Sequence, residues 1–369
     1  MDELFFCSYP HPMVHLSVYT VILLGKRAEI FMILGLTIVL ILVLFLPFTV
    51  KAVEHNLEAF LFIMGLAAAT ISQVLTGDLM IKALEDPIHI TLAVLIAGLL
   101  FRWCQSPIEK GILGLSNMMP FRLFLALVVI VLGLISSMIT AIIAAIVLVV
   151  IVSVIRLDRK SEVRLVVLAC FSIGLGAALT PIGEPLSTIA ISKLNADFFY
   201  LFRLIGADVI IAILIFGILS AIIINPQKGA DGLTSSLEKE SYKEIIIRAF
   251  KIYLFVMGLT LLGAGFEPFI EEYLLGLSPL VLYWINMISA ILDNATLAAA
   301  EISPAMDSAT IKAILLGLLI SGGMLIPGNI PNIISAGKLN ITSKEWARFG
   351  VPVGLITMVA YFIVILVIG

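Results

Sequence analysis

Two acidic residues stand inside apolar stretches long enough to cross a lipid bilayer, Asp293 in the run Leu280 to Ile302 and Glu184 in the run Val163 to Ile191. An ionised carboxylate near the middle of a bilayer costs about 2.5 to 3.5 kcal/mol on insertion scales, so such a residue is a functional candidate by default. Asp293 is followed by Asn294 and Thr296 and preceded by Ser289. Glu184 closes the sequence Thr180-Pro181-Ile182-Gly183-Glu184-Pro185, and a related sequence, Pro327-Gly328-Asn329-Ile330-Pro331-Asn332, lies downstream. Ser136, Ser137 and Thr140 interrupt a third apolar run. All these groups offer oxygen, from carboxylates, amides, hydroxyls and the carbonyls of a broken helix, and none is a lysine, arginine or histidine. Hard cations such as Na⁺ want such coordination, and a buried carboxyl can hold a proton in place of a metal ion. The chemistry expected is cation and proton binding, with the metal candidate Na⁺ at Asp293 and Asn294.

Bond-making chemistry has little to build on. No HExxH or GxSxG motif occurs, and Gly77-Asp78, which could suggest an intramembrane protease, places its aspartate at the end of a span. The three cysteines, Cys7, Cys104 and Cys170, lack metal-site spacing. No enzymatic activity and no resident cofactor are expected, Na⁺ and H⁺ being cargo.

The elements that must hold these residues are membrane helices. Hydrophobic residues make up 61% of 369 positions and charged residues 13%, with mean hydropathy +1.18. Apolar runs recur along the whole length and no polar block could bury a soluble core, so an all-α polytopic membrane protein in a lipid bilayer is predicted, with no nucleic-acid partner. Met13 to Gly25 is too short to span and lacks the marks of a cleaved signal, which makes Met32 a plausible first residue. Two N-terminal transmembrane helices, Ile30 to Val50 and Leu57 to Leu75, fall in residues 1–86. A span at Pro87 to Cys104 leads to an amphipathic connector, Pro107 to Ser116. Phe121 to Ile155 is too long for one crossing and has no polar loop for two, which fits a re-entrant hairpin with a polar tip around Ser136, Ser137 and Thr140. Val163 to Ile191 is a span broken at its two prolines, and Phe198 to Ile224 completes residues 87–224. Residues 225–248 form the polar linker.

Residues 249–369 then repeat the pattern. Leu113-Gly114-Leu115-Ser116 recurs as Leu275-Gly276-Leu277-Ser278, Ile135-Ser136-Ser137 aligns with Ile288-Ser289-Ala290, and Pro181 and Pro185 match Pro327 and Pro331. Thr140 thereby stands opposite Asp293. Each copy holds three transmembrane helices, one of them discontinuous, and a re-entrant helical hairpin. An odd number of crossings turns the second copy upside down, giving two inverted repeats. That topology gathers most of the 22 basic residues, among them Arg156, Arg159, Lys160, Arg164, Lys243 and Lys251, on the side of the linker, which should be cytoplasmic. Inverted copies bring two hairpin tips and two unwound helices to the midplane.

The segment Ile288-Ser289-Ala290-Ile291-Leu292-Asp293-Asn294-Ala295-Thr296, with the later Gly322 to Leu339, resembles the ion transporter superfamily, which includes NhaD-type sodium/proton antiporters, arsenite transporters and citrate or dicarboxylate transporters. It is most similar to the prokaryotic predicted cation transporters of that group. The resemblance covers about Pro87 to the C-terminus. It implies a multi-pass protein of a prokaryotic plasma membrane, a homodimer with a scaffold and a moving transport domain, and elevator-like alternating access. The function expected is secondary active cation transport as Na⁺/H⁺ antiport, with Asp293 and Glu184 as acidic groups from opposite copies. The alternative is cation-coupled symport of citrate or another dicarboxylate. Ser136-Ser137-Met138-Ile139-Thr140 departs from the Ser-Asn-Thr signature of the carboxylate carriers, which weakens that alternative. A passive channel is a further reading, as is a purely structural, hydrogen-bonded Asp293. Asp208 could bond a neighbouring helix, and Glu58 and Glu301, near span ends, are expected to reach the interface.

Overall fold

The structure is a computed structural model that describes residues 12–155, 157–224, 241–273, 277–292, 294–302, 304 and 306–368. Among these the regular secondary structure is helical, with no strand. Helix α1 spans Pro12–Thr49, α2 Lys51–His55 and α3 Leu57–Ile71. A first group follows: α4 Gly77–Asn117, α5 Phe121–Ile139, α6 Ala141–Ile155, α7 Arg159–Ala177, α8 Pro185–Leu194 and α9 Tyr200–Ile223. A second group has the same order: α10 Tyr242–Tyr273, α11 Pro279–Ile285 with a 3-10 turn Asn286–Ala290, α12 Asn294–Glu301, α13 Ser308–Gly322, a 3-10 turn Ile326–Gly328, α14 Ile330–Leu339 and α15 Ser343–Ile368. Long helix, helical hairpin, interrupted helix and single helix thus occur twice.

Five helices are long and apolar enough to cross a membrane among the described residues, at Glu29–Pro47, Phe121–Ile139, Tyr200–Ile223, Tyr242–Phe269 and Ser343–Val367. The large apolar side chains of α9 and α15 are sorted by packing. Ile211, Leu214, Ile215, Ile218 and Ile222 point away from the protein, as do Ile356, Val359, Ile363 and Leu366, whereas Val209, Ala212, Ile213 and Phe216 are buried. An outward band this apolar is stable against lipid and not against water. The molecule is a membrane protein.

Helices α7 and α13 sit at the centre, buried over nearly their whole length, and they touch each other. The first hairpin arm of each group packs on its own group's interrupted helix, α5 on α7 and α11 on α13. The second arms cross over: α6 packs on α14 and α12 packs on α8. Small residues permit these approaches. A Cβ on Gly176 would overlap the Gly133 carbonyl oxygen and lie 2.8 Å from Ser136 Oγ, so α5 and α7 meet backbone to backbone.

Three boundaries differ from the sequence expectation. The segment Pro87 to Ser116 is not a span plus a connector but part of the single helix α4, and α4 also crosses the expected boundary at residue 86. Helix α1 runs unbroken past Lys26 and Arg27 from Pro12. The second long helix starts at Tyr242, inside the expected linker, whose residues 225–240 lie outside the described ones.

Candidate functional site

The first break is made by the proline ring chemistry anticipated from its sequence. Pro181 and Pro185 carry no N–H, so α7 ends at Ala177 and α8 begins only at Pro185. The freed groups are satisfied by the tip of the first hairpin. The Ala141 N–H donates to the Gly183 carbonyl at 2.9 Å, and the Thr180 hydroxyl donates to the Ser137 carbonyl. Thr188 Oγ1 donates to the Pro181 carbonyl at 2.7 Å. Gly183 fits because a Cβ there would overlap the Ala177 carbonyl oxygen.

Thr140 alone separates α5 from α6. It holds φ 74°, a left-handed conformation that a β-branched residue rarely adopts. Backbone strain of about 1 to 3 kcal/mol persists where surrounding structure over-determines it, and it clusters at functional sites. Thr140, Gly183 and the 6%-exposed Glu184 line one cavity of about 400 Å³, which Ile330 at the start of α14 also lines.

The second break is organised by asparagines. Asn332 is fully buried, and its Nδ2 donates to the carbonyls of Gly322 at 2.8 Å and Leu325 at 2.9 Å, two acceptors that the end of α13 would otherwise leave open. The Trp346 indole N–H serves Gly323 in the same way, at 3.1 Å. Asn294 begins α12, 3% exposed, and its Nδ2 has no hydrogen-bond partner among the described residues. It stands beside Gly322, where a Cβ would lie 2.9 Å from the Gly328 carbonyl oxygen and 3.7 Å from Asn294 Nδ2. Asn329 reaches the other way: a Cβ on Gly174 of α7 would overlap its Nδ2.

The structure therefore brings the expected residues into two neighbouring groups. Ser137, Thr140, Thr180, Gly183 and Glu184 surround the first break, and Asn294, Gly328 and Asn332 surround the second. Asn329 and Ile330 connect them, through α7 and through the shared cavity. Ser136 stands apart in function, since its hydroxyl is spent on the carbonyls of Gly133 at 2.7 Å and Ile173 at 2.9 Å in the α5–α7 contact. Asp293 lies outside the described residues, as do the side chains of Ser289 and Thr296.

Asp208 and Glu58 have local partners. Asp208 pairs with Lys312 of α13 at 2.7 Å and Glu58 with Lys251 of α10 at 2.6 Å. Glu301 departs from expectation: it is 1% exposed, not interfacial, because α8, α10 and α13 cover α12. Asn286, 1% exposed, lies next to it and was also missed. The available signal was the spacing of Asn294, Leu297, Ala298 and Glu301, which puts all four on one helix face. No group of three or more His, Cys, Asp or Glu residues gathers among the described residues. No curated protein matches the chain. Residues 33–368 match the family described as protein of unknown function (DUF1646), and the chain belongs to that family.

Proposed function

We propose that this protein is a secondary active cation transporter that exchanges Na⁺ for H⁺. Its two groups of helices act as inverted repeats, each with three transmembrane helices and a re-entrant hairpin, and the discontinuous helices hold the ion near the membrane midplane. Asp293 takes either the metal ion or a proton, with Asn294 and the carbonyls of the second break completing its shell. Glu184 supplies a second acidic group from the first break. Competition of two cations for one carboxylate is sufficient for antiport. The protein works as a homodimer in the plasma membrane of a prokaryote, the linker before α10 on the cytoplasmic side, and moves its site by elevator-like alternating access.

The observation that carries this reading is the exchange of hairpin arms, α6 on α14 and α12 on α8. Each break is also packed by a hairpin arm from the other half of the chain, as a shared site between two pseudo-symmetric halves requires. Broken helices with buried amides and a carboxylate would be a costly way to fill an inert core, since each unpaired polar group in a membrane interior costs kcal/mol. Alternating access needs such a paired interface, whereas a static pore does not.

The test is reconstitution of the purified protein into liposomes containing a pH-sensitive dye, with Na⁺, Li⁺, K⁺ and labelled citrate supplied in turn. Saturable, Na⁺-dependent proton movement without citrate uptake is expected. Citrate uptake driven by Na⁺, or non-saturating ion flux, would contradict the proposal.

A further inference from the structure

Glu301 is the last residue of α12 and is buried on every side. The Asn286 side-chain amide lies beside the carboxyl, close enough to be its weak donor, and among the described residues no well-formed hydrogen bond reaches either carboxyl oxygen or Asn286 Oδ1. Asn286 is held in place by its surroundings: its Nδ2 faces the Ile314 carbonyl at 3.4 Å, and its own carbonyl accepts from Ser321 Oγ at 2.6 Å. Gly317 of α13 permits that approach, since a Cβ there would lie 3.2 Å from Asn286 Cβ and 2.8 Å from the Tyr283 carbonyl oxygen. Two carboxyl oxygens and an amide oxygen are thus buried side by side with no donor beyond the Asn286 amide among the described residues.

Nor does a basic residue balance the charge. Lys251 of α10 is committed to Glu58 and Lys312 of α13 to Asp208, and Glu301 forms no ion pair among the described residues. Its position aggravates the deficit, because a helix C-terminus carries partial negative charge and disfavours a carboxylate while favouring a cation. A buried charge without partner is tolerated only when something neutralises it.

We propose that Glu301 and Asn286 form a second cation site, one that holds a proton in the absence of metal and exchanges it for a small hard monovalent ion such as Na⁺. The exchange balances as one proton released to water for each metal ion bound, with no covalent change. The site lies at the opposite end of α12 from Asn294, and so would couple to the same hairpin. The inference rests on the cation-transport reading for its physiological meaning, but not for its test.

The experiment is infrared difference spectroscopy and calorimetric NaCl titration on the full-length protein in detergent, with choline chloride as control. In the wild type, Na⁺ should remove a protonated-carboxyl band that is absent from Glu301→Gln, and Na⁺ affinity in that variant should fall about tenfold or more. Glu301→Asp, which keeps the charge but withdraws it by one methylene, should retain the band and bind Na⁺ more weakly. A band and affinity unchanged in Glu301→Gln, or an affinity unchanged in Glu301→Asp, would overturn the proposal, as would a Glu301 carboxyl that stays protonated at saturating Na⁺. Asp293→Asn separates the two readings. If it leaves proton flux intact while the Glu301 band still responds to Na⁺, the assignment of Asp293 fails and the second site stands.

Discussion

The side-chain amide of Asn329, at the second helix break, fills the space on Gly174 where any other residue would carry its Cβ. One break of the molecule is thereby registered against the helix that leads into the other.

This contact predicts that Gly174→Ala impairs transport without unfolding the protein. Alanine is favoured over glycine in a helix interior by about 1 kcal/mol, which offsets much of the cost of displacing one amide side chain. Na⁺-dependent proton flux in liposomes should fall at least tenfold while thermal stability in detergent changes little. Gly176→Ala should behave oppositely. There the obstruction is the Gly133 backbone, which cannot swing aside, so the variant should yield little folded protein by size-exclusion chromatography.

Thr140→Gly should relieve the left-handed conformation at the hairpin tip. Glycine adopts φ 74° without the clash that threonine pays, so the variant should be more stable by up to about 1 kcal/mol despite the added flexibility of its unfolded chain. Because Thr140 lines the cavity beside Glu184, transport should weaken as stability rises. A destabilised variant with normal flux would mean that the conformation is unstrained and unrelated to function.

The Arg159 guanidinium grips Glu345 through two hydrogen bonds of 2.7 Å and also reaches the carbonyls of Leu339 at 3.2 Å and Asn340 at 2.8 Å. It ties the start of α7 to the turn between α14 and α15. Arg159→Lys should not substitute, since an ammonium cannot serve a fork of four acceptors. After discounting for partial exposure, a loss of about 1 kcal/mol is expected, read as a lower melting temperature, and adding Glu345→Ala, which also frees the Thr342 N–H and hydroxyl, should lower it by less than Glu345→Ala does alone.

At the start of α13, the Thr310 hydroxyl and N–H beside Asp307 hold its carboxyl below the usual aspartate range. A depressed carboxyl contributes stability that is present above its unfolded value, near 3.8, and is lost as pH falls through its lower folded value. Melting temperature should therefore drop on acidification below about pH 4, and Asp307→Ala should lower it at neutral pH while flattening that drop.

Much of this arrangement is legible in the residues. Pro181, Pro185, Pro327 and Pro331 mark the breaks because a ring without an N–H cannot continue a helix, and Thr140 lies where an apolar run is too long for one crossing and too dry for two. The continuity of α4 is not legible. Pro87 and Pro107 read as boundaries, yet α4 passes through both and packs against α10. The burial of Glu301 is hidden for a related reason: sequence gives its distance from a span end, but only the covering of α12 by α8 and α10 decides whether its carboxyl can reach the interface. Ser136 shows the converse, a polar residue with the right neighbours whose hydroxyl is consumed by a helix contact.

Asp293 is the residue on which the transport reading turns. Proton movement driven by a Na⁺ gradient, recorded in liposomes carrying Asp293→Asn beside the wild type, tests it most directly. The expected result is saturable exchange in the wild type and its loss in the variant, with folded protein recovered in equal amount. Exchange that persists unchanged in Asp293→Asn would contradict it.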